Sequence, residues 1–255
     1  MDLIEAPAAK LLQGQTAIIT GAGQGIGFSI ATKFLAHGAN VMIADIDGDK
    51  ANQAIADLAA AGYPVAAQAA NVTSAQDQQA LLEATLERFG SLDVLVNNAG
   101  VTRDGYITKM TETDYDMVID ISLKGAWLGM KTVAPLFREQ KGGAVVNMSS
   151  LSGKIGNPGQ TNYSAAKAGL VGLTKAGAKE FGPSGARVNC VQPGLVRTAM
   201  TLAMKPEIFA SKEAEVPLGR AGEPDEVGDA VVFLSSPMAS YINGAVLEVT
   251  GGRGI

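Results

Sequence analysis

The stretch TAIITGAGQGIG, residues 16–27, joins a short β-branched apolar run to a turn with glycine at positions 21, 23, 25 and 27. Residues 16–20 read as a strand and residues 26–36 as a helix, which places the turn between strand end and helix start. Glycine lets the backbone bend sharply and approach a ligand closely. The free amides and positive dipole of the helix start favour a pyrophosphate. Gly21, Gln24, Gly25, Ile26 and Gly27 are the residues that would meet it. The spacing is GxxxGxG, not the GxGxxG of the general dinucleotide fingerprint, so the match is one of context: strand, turn, helix. A purely structural glycine turn fits the same letters.

Asp45, 18 residues beyond Gly27 at the end of a second strand, tips the balance. A carboxylate there accepts hydrogen bonds from the two adenosine ribose hydroxyls and repels a 2′-phosphate, which selects NAD over NADP. Gln24 agrees, since the turn offers no cation to neutralise such a phosphate. A solvated turn acid is the plain alternative, with Asp47 and Asp49 close by.

Outward from this segment, short Val- and Ile-rich runs alternate with stretches of helical period, the pattern of a parallel sheet covered on both faces. Strands are expected at 16–20, 40–45, 65–70, 94–97, 144–149, 187–191 and 245–249. Helices are expected at 26–36, 50–61, 75–88, 112–138, 163–181 and 224–234. Residues 193–222 are the least regular, and their apolar set of Met200, Leu202, Met204, Ile208 and Phe209 suits a flap over a pocket or, equally, a packed surface helix.

The chain has 255 residues, 47% of them hydrophobic, enough for one large buried core, and no linker or repeat divides it. A formal charge of −5 with no basic run argues against a nucleic-acid partner. The opening MDLIEAPAAK lacks a signal-peptide core and no apolar run is long enough to span a membrane, so a cytoplasmic protein is expected. One cysteine, Cys190, and one histidine, His37, exclude a disulfide, a CxxC site and a multi-histidine metal centre. His37 precedes Gly38 and reads as a helix end.

The glycine turn, NNAG at residues 97–100, Ser150, the Tyr163 and Lys167 pair, and Pro193-Gly194 follow one another along nearly the whole chain. Together they resemble the short-chain dehydrogenase/reductase family, and GNPGQTNYSAAKAG and GRAGEPDEVGDAVVFL resemble its 3-oxoacyl-(acyl-carrier-protein) reductase branch. The resemblance implies one α/β Rossmann-type domain over residues 1–255, doubly wound on a seven-stranded parallel sheet of order 3-2-1-4-5-6-7, commonly assembled as a homotetramer. It implies a nicotinamide cofactor and a small carbonyl or alcohol substrate.

The chemistry also follows from the residues. Tyr163 and Lys167 are four apart and share a helix face. A free phenol titrates near ~10; a nearby ammonium and an oxidised nicotinamide both favour its phenolate, so a lowered value is expected for Tyr163. Ser150, at the carboxyl end of the fifth strand, is placed to donate to a substrate oxygen. Ser149 and Ser152 compete for that role, and the family spacing selects Ser150. The resemblance further implies that Lys167 holds the nicotinamide ribose and that Asp45 and Ile46 meet the adenosine. Asn71 and Val72 would border the adenine, and Asn98, Ala99 and Gly100 the ribose side. Pro193, Gly194, the Val196 backbone and the Thr198 hydroxyl would fix the carboxamide.

Two departures stand out. Ser122, in ISLKG, occupies the place of a family asparagine that holds a relay water behind the lysine, so an altered proton relay is expected. Arg138 and Lys141 stand where the family meets an acidic carrier protein, but residues 181–185 contain no cation, which weakens that docking. The leading expectation is an NAD-linked 3-oxoacyl reductase or 3-hydroxyacyl dehydrogenase. A secondary-alcohol, polyol or steroid dehydrogenase is the enzymatic rival, and a nucleotide sensor without turnover is the alternative of another class.

Overall fold

The computed structural model describes residues 9–255; residues 1–8, which carry most of the opening read above, lie outside them. Seven strands, β1 (Thr16–Thr20), β2 (Asn40–Asp45), β3 (Val65–Ala69), β4 (Val94–Asn97), β5 (Ala144–Met148), β6 (Arg187–Pro193) and β7 (Val246–Val249), form one sheet of order β3-β2-β1-β4-β5-β6-β7. Every neighbouring pair is parallel. This is the expected Rossmann-type order, and each strand lies within two residues of its expected limits. The order reverses where β1 pairs with both β2 and β4, opening a crevice beyond the carboxyl ends of β1 and β4.

Helices α1 (Gly25–Ala36), α2 (Gly48–Ala60), α3 (Ala75–Phe89), α4 (Glu112–Ile119), α5 (Gly125–Glu139), α6 (Ser152–Ile155), α7 (Thr161–Phe181), α8 (Ala199–Leu202), α9 (Pro206–Ala214) and α10 (Pro224–Ser235) fill the connections. The strand pleat sorts the core into two layers. Ile19, Val96 and Val146 pack with Ile30, Phe34, Leu58 and Val231 from α1, α2 and α10. Their chain neighbours Ile18, Leu95 and Val145 pack on the other face with Leu81, Phe137 and Phe181 from α3, α5 and α7. Because both faces are covered, β1, β4 and β5 are buried throughout. Among the described residues no helix is long and apolar enough to cross a membrane.

Two segments differ from expectation. The single helix foreseen at 112–138 is α4 and α5 joined by a π turn, Asp120–Lys124, with Ser122 at its centre. Counting apolar residues at a period of 3.6 does not register an inserted residue of this kind. In the 193–222 segment, expected to be irregular, two short helices form, α8 and α9, and neither contributes a buried residue. His37 caps the end of α1, as its neighbour Gly38 suggested.

A buried polar chain ties the central strands to the helix that carries Tyr163. Asn97 Nδ2 donates to Asn147 Oδ1 at 2.9 Å, and Asn147 Nδ2 donates to Thr174 Oγ1 on α7 at 3.0 Å. All three residues are buried. Replacing Asn147 with alanine leaves Thr174 Oγ1 without its donor and Asn97 Nδ2 with only the Ala126 carbonyl at 3.3 Å; an unpartnered buried polar group costs about 1–3 kcal/mol and a lost hydrogen bond about 0.5–1.5 kcal/mol. Urea unfolding of Asn147→Ala is therefore expected to show a loss of roughly 2–4 kcal/mol; a loss under about 1 kcal/mol would mean that water replaces the amide.

Candidate active site

The N-terminus of α1 is built differently from those of the next three helices. Asp47, Ser74 and Thr111 cap α2, α3 and α4 with their side chains, and each of those helices has an acid in its first turn. At α1, Gln24 makes no capping bond and the first turn has no acid. Its leading amides therefore stay free, at a turn where Gly21 and Gly25 have φ of 61° and 59°. The adjacent Gly27 is forced by contact: a Cβ there would stand 2.5 Å from the Gly21 carbonyl oxygen.

This turn forms one end of a cavity of about 910 Å³ that runs along the carboxyl edge of the sheet. Of the residues singled out from sequence, Gly21, Gln24, Gly25, Ile26, Gly27, Asp45, Ile46, Asn71, Val72, Asn98, Ala99, Gly100, Ser150, Tyr163, Lys167, Pro193, Gly194, Val196 and Thr198 all line it, and Ser122 does not. The free helix start, the glycine turn and the volume fit a dinucleotide pyrophosphate. At the end nearest the glycine turn, Asp45 is held from both sides, Oδ2 accepting from the Gly23 amide at 3.0 Å and Oδ1 from the Asp47 amide at 3.3 Å. Ile46 beside it is 73% exposed, an apolar surface for a ring to lie on.

Several of these residues reach the cavity while their side chains do structural work. Asn98 Nδ2 donates to the Thr20 and Gly21 carbonyls at 2.9 and 3.0 Å, bracing the glycine turn against the end of β4. The Thr198 hydroxyl caps α8, accepting from the Thr201 amide at 3.3 Å. Gly194 is required because a Cβ would stand 2.9 Å from the Thr250 Cα.

At the far end the three serines separate. Ser149 is buried and donates to the Lys167 carbonyl at 2.7 Å; Ser152 accepts from Asn157 Nδ2 at 2.6 Å. Of the three, Ser150 alone acts on the Tyr163 hydroxyl, favouring its ionised form. Burial pushes the Tyr163 phenol above its ordinary value; the Ser150 bond opposes this and the Asp104 charge adds to it. The lowered value expected from sequence is thus not produced by the chain's own groups, because desolvation outweighs the hydrogen bond. Lys167 lies beneath, 4% exposed, its Nζ 5.5 Å from the Tyr163 ring centroid and donating to the Met148 carbonyl at 2.7 Å. Burial lowers the Lys167 ammonium from 10.5 to about 8.

Ser122 sits just behind this wall. Its Oγ is buried without a hydrogen-bond partner, and a Cβ on Gly100 would stand 3.3 Å from both that oxygen and Lys167 Nζ. Sequence reading missed other lining residues. Lys50 joins Asp45 near the glycine turn, while Asp104, Asn157 and Gln160 line the Tyr163 end. Gln160 Nε2 donates to Asp104 Oδ2 at 3.0 Å, and Asn157 Nδ2 donates to Gln160 Oε1 at 3.0 Å. Gln160 stands one helical turn before Tyr163, the signal that would have flagged it.

A parallel sheet with a phosphate-ready helix start and a Ser-Tyr-Lys group at its carboxyl edge is an arrangement that fits an oxidoreductase. The comparisons agree. A family model described as Enoyl-(Acyl carrier protein) reductase matches residues 21–253. An oxidoreductase of Mycobacterium bovis, described as uncharacterized, is 52% identical over 96% of this chain and 99% of its own. The 3-oxoacyl-[acyl-carrier-protein] reductase FabG of Thermotoga maritima is 39% identical over 94% of this chain and 98% of its own. The crystal structure of gox2181 superposes with a TM-score of 0.92 at 35% identity, covering 95% of this chain and 96% of that one. The chain belongs to the short-chain dehydrogenase/reductase family.

The buried ammonium has a thermodynamic signature. Below about pH 8 folding holds Lys167 charged in a dry site; between about pH 8 and 10.5 the unfolded chain binds a proton that the folded chain does not. Stability from this group therefore rises with pH across that window, by on the order of 3 kcal/mol. Denaturant titrations of wild type and Lys167→Met from pH 7 to 10.5 are expected to show wild type gaining on the variant. A constant difference would mean that Lys167 keeps its ordinary titration.

Proposed function

We propose that this oxidoreductase uses a nicotinamide dinucleotide, NAD(H) in preference to NADP(H), to interconvert a ketone and a secondary alcohol, with a 3-oxoacyl thioester as the favoured ketone. The observation that carries the reading is the convergence of the Ser150 and Tyr163 hydroxyls on one end of the cavity, with Lys167 buried beneath. The 3-oxoacyl assignment is supported by relatives at about 40% identity that are named for that activity.

When bound, the dinucleotide supplies or accepts the hydride and, oxidised, adds a positive charge beside the phenol. The protein's own groups do the rest. A phenol held above its ordinary value is protonated at neutral pH, so Tyr163 is charged with the proton that a forming alkoxide needs. Ser150 donates a hydrogen bond to the same oxygen and stabilises the developing charge. Lys167, titrating near 8, can return a proton to the phenolate side of the site. Asp45 supports the NAD preference by accepting from ribose hydroxyls, while Lys50 at the same end is the feature that would admit a 2′-phosphate.

A polyol or other polar secondary alcohol is the second reading, favoured by the hydrogen-bonded wall of Ser152, Asn157, Gln160 and Asp104. The test is a panel of acetoacetyl-coenzyme A, a 2-enoyl thioester, polyols and simple secondary alcohols, each with NAD(H) and NADP(H). Acetoacetyl-coenzyme A with NADH is expected to give the highest kcat/KM, and Tyr163→Phe to lower kcat by about 10²–10⁴-fold. Preference for a polyol would promote the second reading, and an unimpaired Tyr163→Phe would remove the mechanism. Binding of NADH with no turnover on any substrate would instead mark a nucleotide sensor.

The unpartnered Ser122 hydroxyl supports a water site shared with Lys167, since a buried polar atom without a protein partner is where an ordered water is found. Ser122→Asn fills part of that space with an amide, and the alkaline limb of the kcat profile is expected to shift while KM holds. An identical profile would exclude position 122 from proton transfer.

A further inference from the structure

The segment from α8 to α9 carries side chains that the proposed reaction leaves unused. Met200 on α8, Met204 in the turn that follows, and Ile208 and Lys212 on α9 all line the cavity. Ile208 and Lys212 lie one turn apart on the same face of α9. In chain order this part of the lining is apolar at three positions and then cationic.

The neighbouring charges leave that ammonium free. Arg197 bonds Glu213 at 2.5 Å and lies 3.3 Å from Glu223, Arg220 bonds Glu226, and Arg253 donates to Glu215 from both Nε and Nη2. Lys212 has no ion-pair partner among the described residues, although it is close enough to Glu215 to help hold that carboxyl below its ordinary value. Lys212 and Arg253 both line the cavity, Arg253 with its charge met by Glu215 and Lys212 without an ion pair among the described residues. Asp104 lines the same cavity as a negative charge at the Tyr163 end, which disfavours an anion beside it.

We infer that Lys212 is a specificity-determining residue that receives a carboxylate or phosphate on the substrate arm, separated from the reacting carbonyl by an apolar segment lying along Met200, Met204 and Ile208. The inference rests on the proposal that this cavity holds the substrate, and it names the chemistry of the arm. A half-buried ammonium meeting an anion across a partly wet rim gives a moderate effect, about three- to tenfold in affinity, that falls as salt rises.

Three unreactive probes separate the possibilities: butyryl-coenzyme A with a phosphate arm, glutarate monoethyl ester with a carboxylate, and neutral diethyl glutarate. Binding is measured by calorimetry with the intact protein in NADH, for wild type, Lys212→Gln, Lys212→Glu and Lys212→Arg. An anionic probe is expected to lose about three- to tenfold relative to the neutral one in Lys212→Gln, to lose more in Lys212→Glu, and to recover in Lys212→Arg. Which anionic probe responds tells phosphate from carboxylate. An anionic-to-neutral ratio that stays within twofold across all four proteins overturns the inference. Because the readout is binding, absence of 3-oxoacyl turnover would sink the proposed reaction while leaving this result to stand or fall by itself.

Discussion

The bond from Lys167 Nζ to the Met148 carbonyl, 2.7 Å long and made by a buried lysine, is the constraint around which the Tyr163 end of the cavity is arranged. It fixes a cation at the carboxyl tip of β5, and the long helix α7 must pack where that lysine can reach. The same helix then sets Tyr163 one turn earlier, against Ser150 on the strand's extension. Ser149 completes the join by donating to the Lys167 backbone at 2.7 Å. A buried charge of this kind is unfavourable for folding, and its retention is what a reaction that moves a proton would require.

Much of this was legible in the chain. The strands announce themselves because both faces of the sheet are covered, so runs such as AIIT at the end of β1 and VLVN in β4 have no polar face to blur them. The cavity lining was legible for a related reason: in a doubly wound sheet, residues just beyond strand carboxyl ends face the crevice, and Asp45, Asn71, Asn98, Ser150 and Pro193 all occupy such places. Position, however, did not give role. Asn98 and Thr198 face the crevice with hydrogen-bonding capacity spent on neighbouring backbone, a matter of rotamer and packing that spacing does not encode.

The remainder was hidden because it depends on the third dimension. The π turn around Ser122 inserts one residue without changing composition. Desolvation raises the Tyr163 phenol although a lysine stands one turn away, and only the burial of both decides which effect is larger. Lys50, Asp104 and Lys212 read as ordinary surface charges until separate walls bring them to one cavity.

That cavity takes its lining from Gly21 at one extreme of the chain to Arg253 at the other. Pairing β1 with β4 already brings together segments some 77 positions apart, as the Thr16 amide on the Asp93 carboxylate shows. Assembly of the complete lining therefore requires contacts between distant parts of the chain, with β7 and the segment after it in place. Until β7 docks, β6 is left as an open sheet edge, so a folding chain is most exposed to wrong pairing before its crevice is complete.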